Sequence, residues 1–252
     1  MQGGGATSPA TPVVVLHQIR SVPRGTGAGV EGVAGVAWER DRIVSTAAEA
    51  LERGLAELEL EASSEQRANL LKLAALTESW GRRLNLSGHR SRLRIVERLV
   101  LDAAALLTVL PPLESLADLG SGAGYPGLPI AILRPQLRLT LVEARERRHH
   151  FQKAALRELG LQNATPRLGR AEGLDPEPHT AVIAQAMAQP QAALAWMLPW
   201  GAPGALLILP ASEQVPEIPA DVDGAWTPEP PRHYQVPCGG PRRTLWLARA
   251  RG

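Results

Sequence analysis

Gly120, Gly122 and Gly124 fall inside Leu116-Ala-Asp-Leu-Gly-Ser-Gly-Ala-Gly-Tyr-Pro-Gly127, directly after a short apolar run. Glycines at such a place let the backbone turn sharply and approach a ligand that a side chain would keep away. In open α/β sheets a loop of this kind lies beyond the carboxyl end of a strand, where ligands bind. An acid roughly 20 residues further on, ending the next strand, can accept the hydroxyls of a ribose, and Glu143 stands there. The G-x-G-x-G spacing departs from the G-x-G-x-x-G of dinucleotide sites and favours S-adenosylmethionine over NAD, which leaves an NAD-type oxidoreductase as the alternative from another class. S-adenosylmethionine has no pyrophosphate, so its site needs no helix N-terminus aimed at phosphates. Its sulfonium is a cation, which gives Asp118 two readings. The carboxylate either faces that charge or pins the loop through backbone N–H groups.

Alternating strands and helices must hold this loop. Leu116 to Gly120 has the pattern of a strand, and Leu128 to Leu133 that of a helix stopped by Pro135. Leu137 to Glu143 alternates as a strand, and Arg145 to Leu159 is a helix with Gly160 as its C-terminal stop. Ala181 to Met187, Ala205 to Leu209 and Thr244 to Ala248 are further strands. This order predicts a mostly parallel sheet wrapped by helices, occupying residues 113–252. A helical lead-in over residues 43–112 precedes it. Ile43, Ala47, Leu51 and Leu55 recur at helical spacing, as do Leu70, Leu73, Leu76 and Trp80, with Ser64 as a cap. Arg94 to Leu107 makes a third helix ahead of Pro111 and Pro112. Residues 1–42, rich in Gly, Pro, Ser and Thr, read as a disordered tail.

Composition sets outer bounds. A single cysteine, Cys238, excludes an internal disulfide framework and a cysteine-based zinc site, and fits the cytoplasm. No apolar run is long enough to cross a membrane. The net charge of +2 is mild and does not by itself indicate nucleic acid. His149 and His150 are adjacent on a predicted helix and diverge by about 100°, so they make no metal pair, and no metal is expected. Trp196, Trp200, Trp226 and Trp246 read as packing residues.

Beyond the glycines, Asp118-Leu-Gly-Ser-Gly-Ala-Gly-Tyr-Pro-Gly-Leu-Pro129 and Ile130-Ala-Ile-Leu-Arg-Pro135 resemble the RsmG (GidB) family of small-subunit ribosomal RNA guanine-N7 methyltransferases. Asn85-Leu86-Ser87, Val100-Leu-Asp102, Leu159-Gly-Leu-Gln-Asn163, Gly169-Arg-Ala-Glu172 and Arg242-Arg-Thr-Leu-Trp-Leu247 extend the resemblance in the family's order. It implies a Rossmann-like class I fold with a seven-stranded sheet. It also implies S-adenosylmethionine as cofactor and small-subunit ribosomal RNA as partner. Gly120, Gly122, Tyr125, Ala171, Glu172, Asp118 and Gln185 are then expected around the cofactor, with Glu143 on its ribose and Ala171 and Glu172 placed after a third strand. Arg82, Arg83, Arg147 and Arg148 are the first candidates for RNA contact, beside Arg90 and Arg145.

The chain departs from the family pattern on the substrate side. The family's His and Ser fall on Leu99 and Ala103, its Arg on Gln185, and its Lys near Leu209 or Pro210. Guanine N7 is a lone-pair acceptor without a proton. Methylation there needs no general base, so no catalytic acid or base is assigned. A paralogue with the same cofactor and a different substrate, or little activity, is the second expectation.

Overall fold

The computed structural model describes residues 46–84, 86, 88–185, 190–211 and 224–251. Seven strands form one sheet: β1 (Ser115–Leu119), β2 (Arg138–Glu143), β3 (Ala164–Leu168), β4 (His179–Ala184), β5 (Gly201–Ala211), β6 (Trp226–Gln235) and β7 (Arg242–Ala250). Their spatial order is β3-β2-β1-β4-β5-β7-β6. The five strands from β3 to β5 pair in parallel, and β7 runs antiparallel to both β5 and β6. From β1 the chain moves to β2 on one side and later returns to β4 on the other. The order therefore reverses at the carboxyl ends of β1 and β4, which opens a crevice there. This is the Rossmann-like α/β architecture. Every residue of β1 is buried, which is why it appears in the sequence as an apolar run rather than an alternation.

The helices are α1 (Ala47–Glu57), α2 (Ser64–Leu84), α3 (Arg92–Ile95), α4 (Leu101–Val109), α5 (Gly127–Leu133), α6 (Glu146–Leu159) and α7 (Pro190–Met197). α1 opens on a capping box, with the Glu49 N–H donating to Thr46 Oγ1 and the Thr46 N–H to Glu49 Oε2. The cap of α2 is Ser63 rather than Ser64. Its Oγ accepts the Gln66 N–H and its own N–H donates to Gln66 Oε1. Gln66 Nε2 also donates to the carbonyls of Ile132 and Leu133, closing the end of α5. Gly160 ends α6 in a left-handed conformation, as its place in the sequence predicts.

Three expectations about the elements change. The single helix expected over Arg94 to Leu107 is a bulged one: α3 and α4 are joined by the π turn Val96–Val100. A π turn inserts one extra residue without a polarity signal, so periodicity does not reveal it. β4 ends at Ala184 and leaves Gln185 outside the strand, while Ala186 and Met187 lie outside the described residues. β6 was not anticipated because Pro228, Pro230 and Pro231 argue against a strand. It lies at the sheet's edge, where missing donors cost little, and its register shifts between Glu229 and Arg232, across the two adjacent prolines. β3, with Pro166, closes the opposite edge.

The lead-in helices share the core of the sheet: Leu51, Leu70, Leu73, Ile95 and Leu101 pack in one cluster with Leu116, Leu128, Leu141 and Phe151. Gly54 sits at the tightest helix contact, since a Cβ there would lie 2.4 Å from Leu101 Cδ1. Alanine gains up to about 1 kcal/mol over glycine inside a helix. Overpacking a rigid core costs about 1–3 kcal/mol, and a separation this short makes the second effect the larger. Gly54→Ala is expected to lower the thermal midpoint by several degrees. An unchanged or raised midpoint in calorimetry would contradict this packing.

Candidate functional site

The loop after β1 is held by three side chains. From below, the buried Asp118 carboxylate accepts the Gly127 N–H at 3.0 Å. From α6, the buried Gln152 amide donates to Ser121 Oγ and to the Gly122 carbonyl, both at 2.8 Å. From the end of β2, Glu143 Oε2 accepts the Gly122 N–H at 2.9 Å while its Oε1 accepts the Arg145 N–H at 2.7 Å. Gly120 and Gly122 hold φ of 70° and 59°, a region that side chains strain to enter. Gly127 is needed for a different reason: a Cβ there would sit 2.3 Å from Leu141 Cδ2 and 2.8 Å from Asp118 Oδ2.

Beside this loop an open cleft of about 1260 Å³ is walled by Gly120, Glu143, Arg145, Arg148, Ala171 and Trp196, with Glu172 at its rim. Glu143 is suited to a ribose. A carboxylate has about four acceptor positions. Two are taken by backbone N–H groups, which leaves one on each oxygen for a hydroxyl. Ala171 opens a short 3-10 turn after β3, and its carbonyl takes the indole N–H of the buried Trp200. Glu172 is paired loosely with Arg170, 3.6 Å apart on the surface. Trp196, expected only to pack, contributes to the cleft wall.

Tyr125 and Gln185 lie elsewhere. They face a second pocket on the other side of the loop, together with Leu99, Asp102, Pro210 and Tyr234. Tyr125 Oη is 3.0 Å from Thr77 Oγ1, and burial pushes this phenol above its ordinary pKa. The cleft therefore spans the ends of β1, β2 and β3, and the pocket the ends of β1, β4 and β5. The two flank the switch point. Among the described residues no helix is long and apolar enough to cross a membrane, and no cluster of His, Cys, Asp or Glu is arranged to hold a metal.

The sequence profile of one family, described as rRNA small subunit methyltransferase G, matches residues 66–245. The chain belongs to that family. Among its relatives, the ribosomal RNA small subunit methyltransferase G of Chromohalobacter salexigens is 36% identical over 176 residues, covering 68% of this chain and 84% of that one. The protein of that name from Xanthomonas oryzae pv. oryzae is 37% identical over 194 residues, 75% of this chain and 88% of its own. A third, from Xanthomonas euvesicatoria pv. vesicatoria, is 44% identical over 126 residues, 50% of this chain and 58% of that one. Among solved structures, MtNAS in complex with S-adenosylmethionine aligns with a TM-score of 0.49 at 15% identity, over 82% of this chain and 88% of that one.

Membership in a methyltransferase family sets aside the oxidoreductase alternative. It also gives the departures from the family pattern a common location. Leu99, Ala103 and Gln185, expected at the family's His, Ser and Arg positions, line the second pocket, as does Pro210, one of the two residues near which its Lys was expected, and Arg98 lines it with them. The arginines expected to meet RNA are not brought together. Arg147 is exposed on α6. Arg82 is exposed and 4.0 Å from Glu78 on α2. The side chain of Arg83 lies outside the described residues. Arg148 turns into the cleft, with Nη1 3.9 Å from Glu143 Oε2. Two positioning groups were missed in the sequence. Gln152 could have been found as a polar residue on the otherwise apolar stripe of Phe151, Ala155, Leu156 and Leu159. Asp102, paired with residues of β6 and β7, carries no local signal of its partners.

Desolvation pushes the Asp118 carboxyl up to about 7, against the bond from Gly127 and with help from the Glu143 charge. The folded protein then keeps a proton between about 3.8 and 7 that the unfolded chain has lost, so this group's contribution to stability falls as pH rises through that window. Asp118→Asn is neutral throughout and keeps an oxygen for Gly127. Its stability relative to the parent should grow from pH 4 to pH 7 and level off above. A difference independent of pH in thermal melts would contradict this. Titration with S-adenosylmethionine separates the two readings of Asp118: weaker binding by the Asn variant above pH 7 marks a sulfonium partner, and unchanged binding marks a loop pin.

Proposed function

We propose that this protein methylates N7 of a guanine in small-subunit ribosomal RNA, using S-adenosylmethionine, in the cytoplasm. The observation that carries the cofactor half is the Glu143 carboxylate, fixed by two backbone N–H groups and open to the cleft through its remaining lone pairs. Gly120 and Gly122 would let the cofactor lie against bare backbone, and Ala171 would border its adenine. S-adenosylmethionine supplies an electrophilic methyl on a sulfonium. The rest falls to the chain's own residues. They fix the direction of approach, hold the acceptor base in line and exclude water. No side chain has to take a proton from N7, since it carries none.

Arg147 and Arg148 divide under this reading. Arg147, exposed on α6, would contact phosphate, whereas Arg148 would support Glu143 and the Gly122 turn. Arg147→Ala is expected to weaken RNA binding and reduce the salt slope by about one, with S-adenosylmethionine affinity intact. Arg148→Ala is expected to weaken S-adenosylmethionine binding severalfold and leave the salt slope alone. The reverse pattern would show that the assignment of these two side chains is wrong.

One observation favours a second reading, the same cofactor chemistry on another acceptor: three positions at which the resemblance places a His, a Ser and an Arg converge here on one pocket as Leu99, Ala103 and Gln185. Calorimetric titration with S-adenosylmethionine, with NADH as control, followed by methyl transfer to unmethylated small-subunit RNA, decides between the two. Binding with transfer to a guanine supports the ribosomal RNA reading, and binding without transfer supports the other.

A further inference from the structure

Both tyrosines of the chain, Tyr125 and Tyr234, line the pocket at the ends of β1, β4 and β5. Each is held by its hydroxyl, Tyr125 against Thr77 and Tyr234 against Asp102, whose Oδ1 accepts the phenol proton at 2.8 Å. Leu99, Ala103, Leu106 and Pro210 add apolar wall, and Arg98 and Gln185 bring a guanidinium and an amide to the same lining. Asp102 is the carboxylate in this lining, and it is buried. Arg243, reaching over from β7, donates to its Oδ2 through Nε at 3.2 Å and Nη2 at 2.9 Å. Such pairing offsets the cost of a buried charge. The π turn Val96–Val100 ends two residues before Asp102 in the bulged helix and carries Leu99, and π turns cluster at functional sites.

The hydrogen-bond inventory then decides what the pocket can read. Among the described residues, three of the roughly four acceptor positions on Asp102 are filled, one on Oδ1 and two on Oδ2, which leaves a second acceptor position on Oδ1. Tyr234 Oη has its proton committed to Asp102, so it too can only accept. Two acceptors thus stand side by side, 2.8 Å apart, in a lining that holds aromatic and apolar side chains together with Arg98 and Gln185. The group that matches them is a flat ring with two adjacent donors. Among the bases, guanine presents this on its Watson–Crick edge, as N1–H and the N2 amino group. Adenine offers an acceptor at N1 and would be repelled. Enzymes that act on an extruded base commonly read that edge. N7 is on the opposite side of the purine, so a base held by its Watson–Crick edge at Asp102 leaves N7 unengaged.

We propose that Asp102 and Tyr234 bind the Watson–Crick edge of the acceptor guanine, and that Arg243 is a positioning residue which fixes Asp102. This rests on the guanine-N7 reading above and adds the residues that would select the base.

The test uses the full-length protein, small-subunit RNA with guanosine at the methylated position, and the same RNA with inosine there. Inosine keeps N7 and N1–H but lacks the amino group. A lost hydrogen bond to a charged acceptor lowers kcat/KM by about 10- to 100-fold. We expect the parent protein to prefer guanosine RNA by that factor. Asp102→Asn should lose most of this preference, bind guanosine RNA more weakly and keep its S-adenosylmethionine affinity. A preference arising from the different basicity of N7 in the two bases would persist in the variant. Equal use of both RNAs by the parent, or an undiminished preference in Asp102→Asn, would overturn the proposal. A parent protein that binds S-adenosylmethionine but methylates no guanine would overturn the function it rests on as well.

Discussion

A backbone that must bend through left-handed turns with no side chains of its own cannot hold its shape unaided. The segment Gly120–Gly127 does so because its polar groups are bound from three directions: by Asp118 below, Gln152 beside it and Glu143 from the neighbouring strand. Glu143 is the most constrained of these, since one carboxylate ties β2 to the loop and to the first turn of α6. Removing it would leave two partly buried backbone donors without their acceptor. The position of the cleft, the direction of α6 and the separation of the two pockets all follow from this arrangement. The cost of keeping such groups in the interior appears in Asp118, whose carboxyl titrates near neutrality.

The parts of the fold written locally were legible. β1, β2 and α6 are short runs bounded by glycine or proline, and the loop and its acid follow from spacing. What stayed hidden depended on distant partners or on exceptions to local rules. Proline normally forbids a strand, and β6 escapes because it lies at an edge with a register shift. The π turn leaves no trace in a 3.6-residue period. Asp102 meets Tyr234 and Arg243 across 132 and 141 positions of sequence. Arg148 resembled its exposed neighbour Arg147 until the turn of the helix aimed it at Glu143.

The two sides of the switch point differ in character. The cleft side carries the glycines, the acid and the short turn after β3, while the other pocket is lined by leucine, alanine, glutamine and proline together with Arg98. Under the proposed guanine-N7 reading, family membership and these departures are compatible, because a nucleophile without a proton needs alignment more than proton transfer. The polar network there, Asp102 with Tyr234 and Arg243, is interlocked, which favours a single fixed geometry over an adaptable one.

The first helix is fastened to the end of the chain. The Cys238 N–H donates to Glu57, and the Arg53 guanidinium reaches the Cys238 sulfur, across 181 and 185 positions of sequence. Leu51 and Leu55 share their cluster with Tyr234, Val236, Leu245 and Leu247. During synthesis, then, α1 emerges ahead of the sheet and waits for its partners until β6 and β7 have been made. The lead-in helices are translated before the strands that cover them, so completion of the fold is a late, long-range event rather than a local one.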